Sequence, residues 1–228
     1  MISVKNITKK YGGITAIDNA SFDLSKGEIV GILGPNGAGK STTMKIITGA
    51  LQPDKGSVNI FGHDIAYFPV NAKKKIGYLS EDNPLPADMY VREFLEHIAG
   101  LYKIKNAPDV IDGSIEKFGL KNEYKKKIHA LSKGNRQKLG LAQSLIHDPE
   151  FLVLDEPTGA LDPGQQAEIR HLINNLGKSK IVLLSTHILH ELENLASRII
   201  IVDKGKIMSD RLTKDISSVT DLYHNIVK

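Results

Sequence analysis

The chain contains no cysteine and no tryptophan, and aromatic residues make up only 6% of its 228 residues. The absence of cysteine excludes disulfide bonds, thiolate zinc sites and cysteine nucleophiles. No apolar stretch approaches the roughly 20 residues that a membrane-spanning helix needs, and the first five residues carry no apolar signal segment. We therefore expect a cytosolic globular protein without a membrane span of its own.

The charges nearly balance, because 30 Lys and Arg residues against 26 Asp and Glu residues give a net charge of +4. So small an excess indicates no particular partner, and nucleic acid is not expected to be one. The two lysine runs at residues 73–75 and 125–127 are typical of solvated faces. With 41% hydrophobic residues, the composition is that of an ordinary globular protein.

Short β-branched apolar runs recur along the chain and are typical of strands buried on both faces of a parallel sheet. These runs lie at residues 28–33, 151–154, 181–185 and 199–202. Segments with helical patterning lie between them, at residues 41–48, 132–147 and 165–176. This alternation predicts an α/β core with a mainly parallel sheet.

The remaining segments have two other patterns. Alternation of apolar and polar residues predicts a small N-terminal antiparallel sheet, with strands at residues 2–4, 21–24 and 57–61. A proline-containing loop at 82–86 precedes helices predicted at 91–102 and 110–118. The predicted parts of the single domain are a core with its antiparallel β subdomain over about residues 1–80 and 146–210, an α-helical subdomain over about 82–145, and a tail over 211–228.

Residues 34–41 match the phosphate-binding pattern G-x-x-x-x-G-K-[ST] in full, between a predicted strand and a predicted helix. Glycine lets backbone N–H groups surround phosphate oxygens, and the helix N-terminus adds positive charge. The pattern predicts a P-loop NTPase core in which Lys40 bridges the β- and γ-phosphates and Ser41 ligates Mg²⁺. The predicted nucleotide-binding residues of this segment are Gly34, Pro35, Asn36, Gly37, Ala38, Gly39, Lys40, Ser41 and Thr42.

Two carboxylates, Asp155 and Glu156, end the predicted strand at residues 151–154. Open α/β sheets bind their ligands at that edge, so we expect Asp155 to hold Mg²⁺ and Glu156 to face the attacking water. These features predict a Mg²⁺-dependent NTP hydrolase. They do not distinguish among nucleotide kinases, helicases and transporter ATPases. The guanine-reading pattern Asn-Lys-x-Asp does not occur in the sequence.

Residues 131–137, Leu-Ser-Lys-Gly-Asn-Arg-Gln, resemble the signature motif of ATP-binding cassette (ABC) ATPases. The phosphate loop, the strand-end acids, the segment Thr-Gly-Ala-Leu-Asp-Pro at 158–163 and His187 after Leu-Ser-Thr complete the family's motif order. Over about residues 2–210, the chain looks like an ABC nucleotide-binding subunit. The segment 90–94 and the form of the signature are similar to those of drug, polysaccharide or gliding-associated exporters.

The resemblance implies a head-to-tail dimer that holds two ATP molecules with Mg²⁺ between its copies. Each ATP is then contacted by the phosphate loop of one copy and by the signature residues Ser132, Lys133, Gly134 and Asn135 of the other. The other implied site residues are the catalytic Glu156 and His187, the adenine-stacking Tyr11, Ala16 near the ribose, Asp162 in the dimer loop, and the Mg²⁺ ligands Ser41, Glu81 and Asp155.

Three motifs depart from the family's usual pattern. Glu81 stands where glutamine is usual and adds negative charge beside the expected Mg²⁺. In the signature, Lys133 stands where glycine is usual and Asn135 where glutamine is usual. Gly159, in place of serine, weakens one expected hydrogen bond across the dimer. None of the three departures removes a catalytic group.

Because the chain has no predicted span, the resemblance implies a peripheral subunit on the cytoplasmic face of the cell membrane that powers a separate transmembrane permease. Contacts to the transported substrate would then lie in that permease. Two alternatives remain open at this point. One is a soluble ABC ATPase that acts on a nucleic-acid, ribosome or iron–sulfur assembly partner, and the other is a nucleotide sensor without hydrolysis.

Overall fold

The computed structural model describes residues 1–159, 161–186 and 188–227. The strands of these residues, numbered in chain order, are β1 Ile2–Tyr11, β2 Ile14–Leu24, β3 Ile29–Leu33, β4 Lys55–Ile60, β5 His63–Asp64, β6 Ile76–Leu79, β7 Phe151–Asp155, β8 Ile181–Ser185, β9 Arg198–Asp203 and β10 Lys206–Leu212. The helices are α1 Lys40–Ile47, α2 Pro69–Lys73, α3 Val91–Leu101, α4 Ala107–Lys117, α5 Lys133–Leu145, α6 Pro163–Gly177, α7 Leu189–Leu195 and α8 Val219–Ile226.

Six of the strands form one sheet in the order β10-β9-β3-β8-β7-β6. Neighbouring strands of this sheet are parallel, except that β9 and β10 are antiparallel. Every residue of β3, β7 and β8 is buried, which accounts for their continuous apolar sequences. The predicted α/β core with a mainly parallel sheet is confirmed.

The other four strands form an antiparallel sheet in the order β2-β1-β4-β5. Its buried side chains, such as Ile2, Val4 and Val58, share one apolar cluster with α1 and with the main sheet. The predicted N-terminal antiparallel sheet is confirmed, although β1 and β2 extend well beyond the predicted segments.

Helices α3, α4 and α5 pack together beside the core and share a second apolar cluster with one face of the main sheet. They start and end within a few residues of the predicted bounds. These helices lie within the predicted α-helical subdomain, residues 82–145, and the exact division into parts stays a proposal.

Several elements were not predicted. Strand β6 is short and contains Gly77, where a Cβ atom would lie 2.1 Å from the backbone oxygen of Ser144 in α5. Strand β10 is an exposed edge strand, and its antiparallel pairing with β9 departs from the parallel pattern. The expected tail, residues 211–228, includes the end of β10 and helix α8, whose Leu222 and Ile226 pack on the core.

Candidate functional site

The phosphate loop connects β3 to α1 at the carboxyl edge of the main sheet. Gly39 directly precedes α1 with φ 109°, and a Cβ atom there would lie 2.5 Å from the backbone oxygen of Ala16. Both observations require glycine at this position. The turn therefore brings the N-terminus of α1, with its free N–H groups and positive dipole end, to the carboxyl edge of the sheet.

Lys40 begins α1, and its side chain folds back over the loop. Its Nζ donates hydrogen bonds to the backbone oxygens of Gly34 at 2.7 Å and Pro35 at 3.1 Å. Burial lowers the pKa of Lys40 from its ordinary value, and the nearby carboxylates of Glu156 and Asp155 oppose that shift. The ammonium group is thus partly desolvated, which strengthens its attraction for a phosphate oxygen.

A cavity of about 310 Å³ opens beside the phosphate loop, and we call it the nucleotide cavity. It brings together residues that are far apart in the sequence and that come from β2, from the loop, from α1, from the segment after β6 and from the end of β7. Its lining consists of Ala16, Asn36, Gly37, Gly39, Lys40, Ser41, Thr42, Glu81, Asp155 and Glu156. Six of the nine predicted loop residues therefore meet the predicted metal ligands in one place, whereas Gly34, Pro35 and Ala38 do not line the cavity.

Asp155 is the last residue of β7 and is only 1% exposed. Its Oδ1 accepts a hydrogen bond from the Ser185 hydroxyl at 2.5 Å. Its Oδ2 is buried and has no hydrogen-bond partner within the part of the chain that the structure describes. A buried carboxylate oxygen without a donor is costly unless a ligand pairs with it.

These features fit a Mg²⁺ ion. Asp155 and the Ser41 hydroxyl line the same cavity, and both are oxygen ligands of the kind that Mg²⁺ takes. Among the described residues, no group of three or more His, Cys, Asp or Glu side chains could hold a metal ion. This is compatible with Mg²⁺, which is usually held by one or two carboxylates together with substrate phosphates.

Glu156 follows Asp155 with φ 51°, in the left-handed region. This conformation costs of order 1–3 kcal/mol for a residue other than glycine, so the surrounding structure must hold it. Its backbone N–H donates to Ser185 Oγ at 3.1 Å, and its carbonyl accepts from Gln137 Nε2 at 3.2 Å. Gln137 also donates to the carbonyl of Pro157 at 3.1 Å. Glu156 therefore lines the nucleotide cavity from a backbone that is held on both sides.

A larger cavity, of about 640 Å³, adjoins the first and shares Asn36, Glu81 and Glu156 with it. Of the residues that depart from the family pattern, Glu81, Lys133 and Gly159 line this second cavity, whereas Asn135 does not. Glu81 contributes a negative side chain to the cavity, Lys133 contributes a positive one, and Gly159 contributes none.

The other signature residues are placed differently from Lys133. Ser132 caps α5, because its hydroxyl accepts a hydrogen bond from the Asn135 N–H at 3.1 Å, as expected of a helix N-cap. Ser132, Gly134 and Asn135 line neither of the two cavities of their own chain.

The remaining predicted site residues are scattered. Tyr11 ends β1, is 49% exposed and does not line the nucleotide cavity, although Ala16 does. Asp162 caps α6 by accepting a hydrogen bond from the Gln165 N–H at 3.0 Å. His187 lies outside the described residues.

Sequence reasoning missed two residues that hold the site. Ser185 reaches both Asp155 and the N–H of Glu156, and Gln137 holds the carbonyls that follow. The sequence signal that could have found them is a polar residue in a segment or on a helix face that is otherwise apolar. Ser185 ends the apolar run Ile-Val-Leu-Leu, and Gln137 lies on the buried face of α5.

The model of the ABC transporter family matches residues 17–159, which include the phosphate loop, the signature segment and both strand-end acids. The chain belongs to the ABC transporter family. It is an ATP-binding subunit with ATPase activity, and the resemblance drawn from the sequence is confirmed.

Individual ABC proteins align over most of their length. The chain is 40% identical over 222 residues to YhcH of Bacillus subtilis (strain 168), an uncharacterized ABC transporter ATP-binding protein, covering 94% of this chain and 71% of YhcH. It is 37% identical over 215 residues to the bacitracin transport ATP-binding protein BcrA of Bacillus licheniformis, covering 92% of this chain and 69% of BcrA.

Among solved ABC structures, the dimeric post-hydrolysis state of the ATP-binding cassette MJ0796 bound to ADP and Pi superposes with a TM-score of 0.87. That cassette is 26% identical, and the match covers 93% of this chain and 99% of the cassette. Within residues 1–159, 161–186 and 188–227 of this ABC subunit, no helix is both long and apolar enough to cross a bilayer.

Proposed function

We propose that two copies of this ABC ATPase close head to tail around two ATP molecules with Mg²⁺, and that closure powers a separate transmembrane permease that exports its substrate. The observation that carries the proposal is the convergence of Lys40, Ser41, Asp155 and Glu156 in one cavity at the end of the phosphate loop. This arrangement has the groups needed to bind a triphosphate and to cleave its terminal bond.

The phosphates would bind along the N–H groups of the loop, with Lys40 as the neutralising cation. Lys40 would then exchange its hydrogen bonds to the carbonyls of Gly34 and Pro35 for bonds to phosphate oxygens. The Glu156 carboxylate would orient the attacking water and accept its proton. Because the Glu156 backbone is already held in a strained conformation, little reorganisation is needed when ATP arrives.

Ser41 and Asp155 would hold Mg²⁺, with Glu81 at the edge of the site. Bound Mg²⁺ neutralises the charge on the β- and γ-phosphate oxygens. Asp155 Oδ2 is oriented for this contact, since the Ser185 hydroxyl already fixes the other oxygen of the same carboxylate. Glu81 is exposed and adds a third carboxylate near Lys40, after Glu156 and Asp155.

The second copy would supply the N-terminus of α5, with Ser132, Gly134 and Asn135. Support comes from the position of these residues outside both cavities of their own chain and from the dimeric form of the MJ0796 cassette. We further propose that Tyr11 stacks on adenine, that Asp162 lies at the dimer contact and that His187 contacts the γ-phosphate.

The export direction is proposed from BcrA, which is named for bacitracin transport. The permease partner follows from the family, whose ATP-binding subunits act on a membrane protein, and the proposed location is the cytoplasmic face of that membrane. The test is fractionation of cells that express the tagged chain. Recovery with membranes and with a multi-span protein is expected, whereas recovery only with ribosomes or nucleoid would contradict the transporter assignment.

Replacement of the proposed base tests hydrolysis directly. Glu156→Gln keeps the size of the side chain but cannot accept the proton from water, so kcat for ATP should fall roughly 10²-fold or more, while ATP binding is retained. The matched control is Glu150→Gln, because Glu150 is an exposed carboxylate that pairs with Lys75 on the surface. Equal turnover by Glu156→Gln and the wild type would contradict the role of Glu156.

A further inference from the structure

Glu191 lies in α7 and is only 4% exposed. Its Oε2 accepts hydrogen bonds from the hydroxyls of Thr158 at 3.0 Å and Thr186 at 3.1 Å. Its Oε1 accepts one from Arg170 Nη1 of α6 at 2.9 Å. We call these four residues the Glu191 network. One buried carboxylate thus joins three segments that are distant in the sequence.

Two partners of Glu191 adjoin the residues of the proposed reaction. Thr158 lies two residues after Glu156 and is itself 2% exposed. Thr186 directly follows Ser185, whose hydroxyl holds Asp155 and the N–H of Glu156. The Thr186 hydroxyl also accepts a hydrogen bond from the Ile188 N–H at 3.1 Å, so this side chain bonds backbone on the far side of position 187.

The chemistry of a buried carboxylate makes these bonds specific. An ionised carboxylate can only accept hydrogen bonds, so it orients both threonine hydroxyls toward itself. Arg170 supplies the compensating positive charge from a separate helix. Glu191 does not line the nucleotide cavity, so it has no contact with a nucleotide bound there.

We propose that Glu191 is a positioning residue for ATP hydrolysis. Through Thr158 it holds the backbone that follows Glu156, and through Thr186 it holds the backbone on both sides of position 187. The two segments are thereby fixed relative to each other. This inference rests on the proposed function, because it concerns the reaction in which Glu156 acts.

Loss of the Glu191 network is expected to affect catalysis but not ATP binding. Glu156 is held at φ 51°, and release of the backbone at Thr158 would let this conformation relax and move the carboxylate. The phosphate loop shares no hydrogen bond with the four network residues. Loss of the network should therefore lower kcat and leave the KM for ATP nearly unchanged.

Thr158→Val tests the proposal, because it removes the hydroxyl with little change of volume. Displacement of a reacting group by about 1 Å can cost roughly 10²-fold in rate, and we expect kcat to fall between about 10- and 100-fold. The KM for ATP should stay within about twofold. Thr158→Ser restores the hydroxyl and should bring kcat back near that of the wild type, and Thr186→Val should act like Thr158→Val.

Thr48→Val is the matched control. Thr48 is 6% exposed, and its hydroxyl donates to the carbonyl of Met44 at the end of α1, away from the network. Thr48→Val should also lower the unfolding midpoint, but leave kcat unchanged. This comparison separates positioning from the general loss of a buried hydrogen bond.

Each result of this set decides the proposal. If Thr158→Val leaves kcat unchanged, the proposed role of Glu191 is overturned. It is also overturned if Thr158→Val and Thr48→Val lower kcat equally. The proposed function stays intact in both cases. A wild-type protein that hydrolyses ATP no faster than Glu156→Gln would overturn the proposed function, and the positioning role with it.

Discussion

Individual residues in the nucleotide cavity are kept in states that are unfavourable in the free protein. Asp155 has a buried carboxylate oxygen without a donor among the described residues, and burial lowers the pKa of Lys40. Glu156 keeps a strained backbone. Such features lower the stability of the free protein and are typical of functional sites. They support the proposal that the cavity binds a triphosphate with its metal.

Tyr78 in β6 is a second buried polar group, outside the nucleotide cavity. Its hydroxyl has no hydrogen-bond partner among the described residues, and burial raises its pKa from 10.0 to about 12. A neutral Tyr78 therefore supports the folded state fully below pH 10, and this contribution is lost as the pH rises toward about 12. Tyr78→Phe has no ionisable group at this position, so it does not lose stability in this way as the pH rises.

We expect Tyr78→Phe to be at least as stable as the wild type at pH 7, because it removes a buried hydroxyl without a partner. Its advantage in free energy of unfolding should grow by about 1–2 kcal/mol between pH 10 and 12, after allowance for solvent screening. Urea unfolding of both proteins across this range measures the difference, since lysine titration is common to both. A difference that stays constant with pH would contradict the assignment.

Helix starts show how local sequence positions the site. Ser132 caps α5 and Ser218 caps α8, and each hydroxyl accepts a hydrogen bond from the N–H three residues later, at 3.1 Å. The two caps are locally alike but differ in the proposed role. The α5 cap belongs to the signature segment, whereas α8 packs on α7 at the C-terminal end of the described chain.

Ser132→Ala and Ser218→Ala should each cost about 1 kcal/mol in free energy of unfolding. Only Ser132→Ala should also lower ATP turnover, because Ser132 is proposed to contact the ATP of the other copy. Chemical unfolding and steady-state hydrolysis of the two variants check both expectations. If both variants lost ATP turnover in proportion to their loss of stability, the Ser132 hydroxyl would act only as a helix cap.

The elements also show how far the sequence predicts the fold. Strands β3, β7 and β8 were predictable because burial on both faces leaves a continuous apolar run. Short elements such as α2, β6 and α7 were missed, since four to seven residues carry too little periodicity. Their positions depend on tertiary contacts, as in the close approach of Gly77 to α5.

In the whole molecule, the carboxyl edge of the main sheet gathers the phosphate loop and the strand-end acids, as the spacing of the motifs predicted. Contacts between distant polar residues were not predictable. Glu191 and Thr158 are 33 residues apart, and neither lies in a local sequence pattern that predicts the hydrogen bond between them. The role of His187 stays a prediction.

The position of the signature segment supports the proposed dimer. Ser132, Gly134 and Asn135 line neither cavity of their own chain, so they would reach a nucleotide only in a second copy. A second copy that docks head to tail would close both sites at once. Loss of the γ-phosphate would then remove the contacts that hold the copies together.

Disulfide crosslinking between copies measures this closure directly, because the chain has no native cysteine. In the Glu156→Gln background, Asn36→Cys and Asn135→Cys introduce one thiol in the phosphate loop and one in the signature segment. ATP should produce a covalent dimer of twice 25.0 kDa, and the pair Asn36→Cys with Asn122→Cys should produce none. If the first pair yields no covalent dimer with ATP, or yields it equally without nucleotide, two copies do not enclose ATP in the way proposed.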